Sequence, residues 1–180
     1  MTVRRGFYGC LLVFAVLSAT GFFWPLVSWA QEGAQDSCPA RAVTVRGDSL
    51  SPLLPDGSRV MMKPAACAGP VRRDDLVIFR TGARAKPVIK IAKGLPGDRF
   101  AVDQDGFIIV NDAVLENSAG AAYRLPVSQR AMLRAYQDGY GGVIPADTYL
   151  LLGDGANSVI DSARLGLIHI SDFIMVGSRP

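Results

Sequence analysis

Apolar residues are arranged in two unlike ways along this chain. From Phe7 to Ala30 there are 24 residues without a charge, 18 of them hydrophobic, and the stretch is apolar all round, with no polar face. Beyond Gln31 the hydrophobic residues fall into short runs rich in Val, Ile, Leu and Phe: Ala42–Val45, Arg59–Lys63, Leu76–Phe79, Pro87–Ala92, Arg99–Val102, Phe107–Val110, Thr148–Leu152 and Leu167–Val176. Turn-forming clusters stand between them, among them Pro55-Asp56-Gly57, Pro96-Gly97-Asp98, Asp103-Gln104-Asp105-Gly106, Asn111-Asp112 and Gly141-Gly142. This spacing predicts a mainly β domain, an irregular barrel or sandwich, over residues 42–180. One short helix is expected over residues 127–137, from Val127, Ala131, Leu133 and Ala135. Residues 31–41 are polar enough to act as a tether, and no internal repeat is present.

The N-terminal segment admits two readings. It is long enough to cross a hydrocarbon core, which needs about 20 residues, and Arg4 and Arg5 would hold its start in the cytoplasm. The same residues also make a secretory signal, with Arg4-Arg5 as the basic region, Cys10–Leu17 as its apolar core and Ser28-Trp29-Ala30 as a small-x-small cleavage site. On the first reading the protein crosses a lipid bilayer once, with its β domain on the outer side. On the second it is released as a soluble exported protein. Either way residues 31–180 are exported.

Composition changes meaning once this segment is set apart. The whole chain is 49% hydrophobic with a mean hydropathy of +0.24, but 7 of its 15 aromatic residues and both tryptophans lie in residues 7–30. A length of 180 residues suits one domain plus an anchor, and a net charge of only +3 excludes a disordered, highly charged chain. Beyond residue 31 there are 17 basic and 16 acidic residues, so nothing supports nucleic-acid binding, which needs a clustered basic face. Export also bears on the cysteines. With Cys10 in the apolar segment, Cys38 and Cys67 remain as a pair in an oxidising compartment, either bridged or as two free thiols. His169 is the lone histidine and no C-x-x-C occurs, so no metal site is expected.

Three segments carry candidate chemistry. In Arg46-Gly47-Asp48-Ser49-Leu50-Ser51-Pro52 a serine directly follows a strand, between a glycine and a proline. Such a serine can present both its hydroxyl and its own amide to a carbonyl, as a nucleophile with an oxyanion site requires, although Gly-Asp-Ser is also an ordinary surface turn. In Val88-Ile89-Lys90-Ile91-Ala92-Lys93-Gly94, Lys90 stands within an apolar strand, with Val88 and Ala92 as same-face neighbours at period 2. Desolvation there disfavours the ammonium form; making a lysine work as a base near pH 7 to 8 takes about 4 kcal/mol of it. The alternatives are an edge-strand lysine with its head in water, and Lys93 as the base instead. The third segment, Tyr149 to Gly166, runs from an apolar strand into a loop dense in small polar residues, with Asp161 and Arg164 within salt-bridge reach. It suits hydroxyl groups that orient another side chain, or simply an Asx-rich turn.

In this order the three segments resemble the type I signal peptidase family, membrane-bound serine proteases with a Ser/Lys dyad. Gly47-Asp48-Ser49-Leu50-Ser51-Pro52 is similar to its S-G-S-M-x-P box, and Lys90-Ile91-Ala92-Lys93-Gly94-Leu95-Pro96-Gly97-Asp98 to its K-R-x-x-G-x-P-G-D box. Gly106–Val114 and Gly142–Asp154 are similar to its hairpin and to the strand before its last box, which is echoed by Gly153-Asp154, Asn157-Ser158 and Asp161-Ser162-Ala163-Arg164. The resemblance implies Ser49 as nucleophile and Lys90, rather than Lys93, as general base. It implies Ser158, or Ser162 given the altered spacing, as the hydroxyl that orients the lysine, and Asp161 with Arg164 as a supporting ion pair. It further implies exported pre-proteins as substrates, small residues at the first and third positions before the cut, and no cofactor. Two departures stand out: Gly47 where the family often has a hydroxyl residue that completes the oxyanion hole, and Ile91 where it has arginine. The cysteine pair and single apolar segment resemble the conjugative-transfer branch, which matures pilins. A non-enzymatic exported β-module, a scaffold of a pilus or secretion system, is the competing expectation.

Overall fold

The computed structural model describes residues 38–82, 86–155 and 161–180; the apolar stretch at residues 7–30 and Ser158 lie outside them. Among the described residues there are ten strands, all but β7 on the expected runs: β1 (Arg41–Thr44), β2 (Arg59–Pro64), β3 (Leu76–Phe79), β4 (Val88–Gly94), β5 (Phe100–Val102), β6 (Ile108–Val110), β7 (Ala113–Val114), β8 (Thr148–Leu152), β9 (Ile168–His169) and β10 (Phe173–Gly177). Helix α1 occupies Val127–Gly139 and the short α2 Ser162–Leu165.

The expected single run Leu167–Val176 is divided. A 3-10 turn at Ile170–Asp172 separates β9 from β10, and the His169 ring accepts the Ser171 N–H at its start. The polar Ser171-Asp172 pair cannot continue a buried strand, so the chain turns to join a second neighbour.

Seven strands form one antiparallel sheet in the order β1-β2-β10-β3-β4-β8-β9, and β5-β6-β7 form a second. The sheets do not close into a barrel: among the described residues β1 pairs with β2 alone and β9 with β8 alone. The architecture is therefore two open antiparallel sheets.

Strand alternation divides the core. Along β8, Leu150 and Leu152 pack with Phe100, Ile108, Val110 and Leu133, while Tyr149 and Leu151 pack with Phe79, Ile168 and Phe173. A third cluster, Val45, Leu50, Leu54, Val60, Met62, Leu76 and Ile91, lies under the turn after β1. Leu50 is fully buried there, and truncating such a side chain typically costs about 2–5 kcal/mol. The residue beside Ser49 therefore pins that turn to the sheet. Cys38 and Cys67 are joined in a disulfide with Cα atoms 5.8 Å apart, tying the approach to β1 to the turn after β2.

Candidate active site

Ser49, in the turn after β1, and Lys90, on β4, come from elements far apart in the sheet order yet meet side chain to side chain. Lys90 lies opposite Val77 in the β3–β4 ladder, and its Nζ is 2.6 Å from Ser49 Oγ, within hydrogen-bond distance. Lys90 is only 3% exposed. Burial holds its pKa below the ordinary lysine range, and the nearby Asp161 charge opposes that effect in part. An amine so placed gives up its proton more readily than a surface lysine and has a hydroxyl within reach.

Lys93 occupies a different environment. Its Nζ forms an ion pair with Asp74 at 2.7 Å and approaches the Glu116 carbonyl at 3.3 Å, with the Tyr123 ring beside it. Both lysines are buried; what separates them is the partner, a carboxylate for one and a hydroxyl for the other.

The backbone around Ser49 is tightly specified. The Ser51 N–H donates to the Asp48 carbonyl and the Leu54 N–H to the Leu50 carbonyl, closing two successive turns. Gly47 has φ +82°, a region that side-chain-bearing residues avoid, and its N–H donates to Asp56 Oδ1 at 2.7 Å. Gly47 thus offers no side-chain donor, and its amide is already engaged. The Ser49 amide has no acceptor among the described residues, which leaves it available to an oxyanion. Beside these two side chains lies a mainly apolar cavity of about 290 Å³, lined by Val43, Val45, Ile78, Pro87, Val88 and Ile89, with Thr44 and Arg46 as well as Ser49 and Lys90.

The last box is arranged differently from expectation. Ser162 is fully buried, and its Oγ accepts the Leu151 N–H at 2.8 Å; among the described residues it makes no hydrogen bond to Lys90. Asp161 does not pair with Arg164 in the described structure. Its carboxylate instead accepts the Ala163 N–H as the N-cap of α2, while Arg164 sits a turn later and faces solvent. A cap precedes the helix it caps, so the three-residue spacing does not place these two side chains on one helical face.

Asp154, which appeared in the sequence only as part of a motif, is 1% exposed and joins three segments. Its Oδ2 accepts the Leu53 N–H at 3.2 Å and its Oδ1 the Ser118 N–H at 2.9 Å. The N–H groups of Asp154 and Gly155 both donate to the Ser49 carbonyl, at 2.8 and 3.2 Å. Asp98 organises the turn after β4 in a comparable way, accepting the Leu95 N–H at 2.6 Å and pairing with Arg73 at 2.8 Å. The Gly-Leu-Pro-Gly-Asp half of the lysine box thus shapes a turn. No group of His, Cys, Asp and Glu among the described residues is arranged to hold a metal ion.

The sequence pattern of the family described as signal peptidase, peptidase S26, matches residues 33–178. Signal peptidase I U of Bacillus subtilis (strain 168) is 24% identical over 136 residues, covering 75% of this chain and 71% of that protein. Signal peptidase I P of Bacillus subtilis subsp. natto is 28% identical over 131 residues, covering 71% of this chain and 69% of its own. Among solved structures, a signal peptidase I from Enterococcus faecalis V583 aligns with a TM-score of 0.42 at 21% identity, over 58% of this chain and 93% of that one.

Proposed function

We propose that this chain, which belongs to the signal peptidase family, peptidase S26, is a serine endopeptidase that removes signal peptides from exported pre-proteins with Ser49 as nucleophile and Lys90 as general base. The observation that carries the residue assignment is the 2.6 Å contact between a buried amine and a serine hydroxyl.

The chemistry follows from that contact. A pre-protein lies extended along the edge of β1 that no described strand covers, exchanging main-chain hydrogen bonds with it. Small side chains at the first and third positions before the cut enter the apolar cavity beside the dyad. Neutral Lys90 takes the Ser49 proton as Oγ attacks the scissile carbonyl, and the Ser49 N–H receives the oxyanion. The lysine then protonates the leaving amine. Water deprotonated by the regenerated amine attacks the ester carbonyl, the acyl–oxygen bond breaks, and Ser49 recovers its proton.

Ser49→Ala and Lys90→Ala are each expected to abolish cleavage of an Ala-x-Ala precursor while the circular dichroism spectrum stays that of the wild type. Cleavage at the wild-type rate by either variant overturns the assignment, and a wild-type protein that cuts no precursor favours the scaffold reading.

The finer reading places the catalytic domain outside a bacterial inner membrane, anchored by residues 7–30, and gives it pilin or conjugative-transfer precursors. The Cys38–Cys67 bridge supports an oxidising compartment. Alkaline extraction of membranes together with N-terminal sequencing of the mature protein tests the anchor. Co-expression with pilin precursors, against a general secretory precursor, tests the substrate class.

A further inference from the structure

We infer that the turn Gly153-Asp154-Gly155 is a cradle that positions the nucleophile, setting where Ser49 Oγ and the Ser49 amide stand relative to Lys90. The inference rests on Ser49 being the nucleophile and adds residues that act on it without touching substrate.

The contacts come in two layers. In the first, the Ser49 carbonyl accepts from two successive N–H groups of the turn, Asp154 at 2.8 Å and Gly155 at 3.2 Å. The carbonyl is thereby fixed. Because peptide planes are rigid, fixing the carbonyl of a residue limits the orientation of that residue's side chain as well.

In the second layer the turn is itself held. The buried Asp154 carboxylate accepts from the Leu53 N–H on the far side of the nucleophile's turn, and from the N–H and hydroxyl of Ser118. The Asn117 amide donates to the Asp154 carbonyl at 3.0 Å and the Tyr123 hydroxyl to the Gly153 carbonyl at 2.7 Å. The segment after β7 thus backs the cradle, and the cradle backs Ser49.

Close approach is part of the arrangement. A Cβ added at Gly155 would lie 3.0 Å from the Ser51 carbonyl oxygen and 3.2 Å from that of Asp48. Both are backbone atoms of the nucleophile's turn, so they can yield only by moving the turn that carries Ser49. Gly155 is outside the positive-φ region, so alanine meets no backbone strain of its own there. The substitution therefore tests position and little else.

Asp154→Asn tests the second layer. An amide has one acceptor oxygen where the carboxylate has two, so either Ser118 or Leu53 loses its acceptor and faces an NH₂ group.

The assay uses the full chain with two substrates, an Ala-x-Ala precursor and the p-nitrophenyl ester of acetyl-Ala-Ala-Ala, with Ser49→Ala as control. Gly155→Ala is expected to lower kcat and the rate of Ser49 acylation by the ester about 10-fold, and Asp154→Asn about 10²-fold, the scale set by sub-ångström misplacement of reacting groups. KM, the acid limb of the pH profile and the circular dichroism spectrum are expected to stay as in the wild type, because the cavity walls Val43, Ile78, Val88 and Ile89 are not altered and the lysine's pKa is set by burial and by Asp161. Acylation of wild-type protein no faster than of Ser49→Ala overturns the nucleophile assignment and the cradle with it. Wild-type acylation that persists undiminished in folded Gly155→Ala overturns the cradle alone. So does a loss of rate in Gly155→Ala that appears entirely in KM. If Asp154→Asn does not fold, Gly155→Ala decides the matter.

Discussion

Replacing Lys90 by methionine should destroy activity and stabilise the protein, and the gain should depend on pH in a defined direction. Methionine fills much the same volume without a charge to desolvate. In the folded protein burial lowers the lysine pKa, whereas the unfolded chain titrates near 10.4. Between those two values the unfolded state binds one more proton than the folded state, so wild-type stability rises with pH by up to about 1.4 kcal/mol per unit. Below the folded pKa both states are protonated and the slope vanishes; above about 10.4 neither is, and it vanishes again. Lys90→Met lacks this dependence, and groups common to both proteins cancel in the difference. The stability of the variant minus that of the wild type should therefore be largest at low pH and shrink towards pH 10. Loss of the Lys90–Ser49 hydrogen bond removes only about 1 kcal/mol of the gain, because the half-exposed serine turns to water. Urea unfolding at pH 6, 8 and 10 is sufficient to read it: with slopes of about 1–3 kcal/mol per molar urea, one unit's contribution moves the midpoint difference by about 0.5–1.4 M. A difference that stays flat across this range, or grows with pH, refutes the claim that burial outweighs the Asp161 charge at Lys90.

Asp161→Asn keeps a good helix cap on α2 but removes the charge that opposes burial at Lys90. The neutral amine is the active form, so the acid limb of kcat/KM should move to lower pH; a limb that stays put or moves upward contradicts this. Replacing Cys38 and Cys67 by serine opens a loop of sequence separation 29 and should cost about 3–4 kcal/mol by chain entropy, measured as the change in unfolding free energy; a loss below about 1 kcal/mol would argue against that account. Gly47→Ala has open space for its Cβ but must adopt φ +82°, and should lose about 1–2 kcal/mol of stability, with an unchanged melting temperature as the contrary result.

Much of the fold was legible because period-2 alternation and turn chemistry are local signals. Leu76–Phe79 and Thr148–Leu152 match the expected runs residue for residue. The failures are elements too short to carry a period: β7 has two residues, both exposed, and α2 has four. At the site, the glycine and proline around Ser49 and the apolar neighbours of Lys90 marked both only as candidates, and the structure brings the two side chains together. Choosing between Lys90 and Lys93 required a family resemblance, because both lie in the same strand and each partner comes from elsewhere: Ser49 is 41 residues from one lysine, and Asp74 is 19 from the other. The work of Asp154 was hidden for the same reason. Its acceptors serve Leu53 and Ser118, at separations of 101 and 36 residues, and no window along the chain contains both. The Asp161–Arg164 pairing failed where local spacing was trusted across a helix boundary.

The two departures from the family pattern bear differently on catalysis once the contacts are known. Gly47 offers no hydroxyl, and its own amide is engaged with Asp56, so on the proposed assignment stabilisation of the oxyanion falls mainly on the Ser49 N–H. That gives the orientation of one peptide group unusual weight. The plane that carries the Ser49 N–H and the plane that carries its carbonyl share one Cα, and the carbonyl is held by two N–H donors from the turn after β8. Ile91 places no cation next to Lys90, and Asp154 is served by the neutral donors of Leu53 and Ser118. No additional cation is thereby brought beside Lys90, so its proton affinity is left to burial and to Asp161. On the proposed assignment the site relies on one oxyanion amide and one buried amine, so it needs a rigid backbone, and the dense hydrogen bonding around residues 49, 53, 118 and 154 supplies that rigidity.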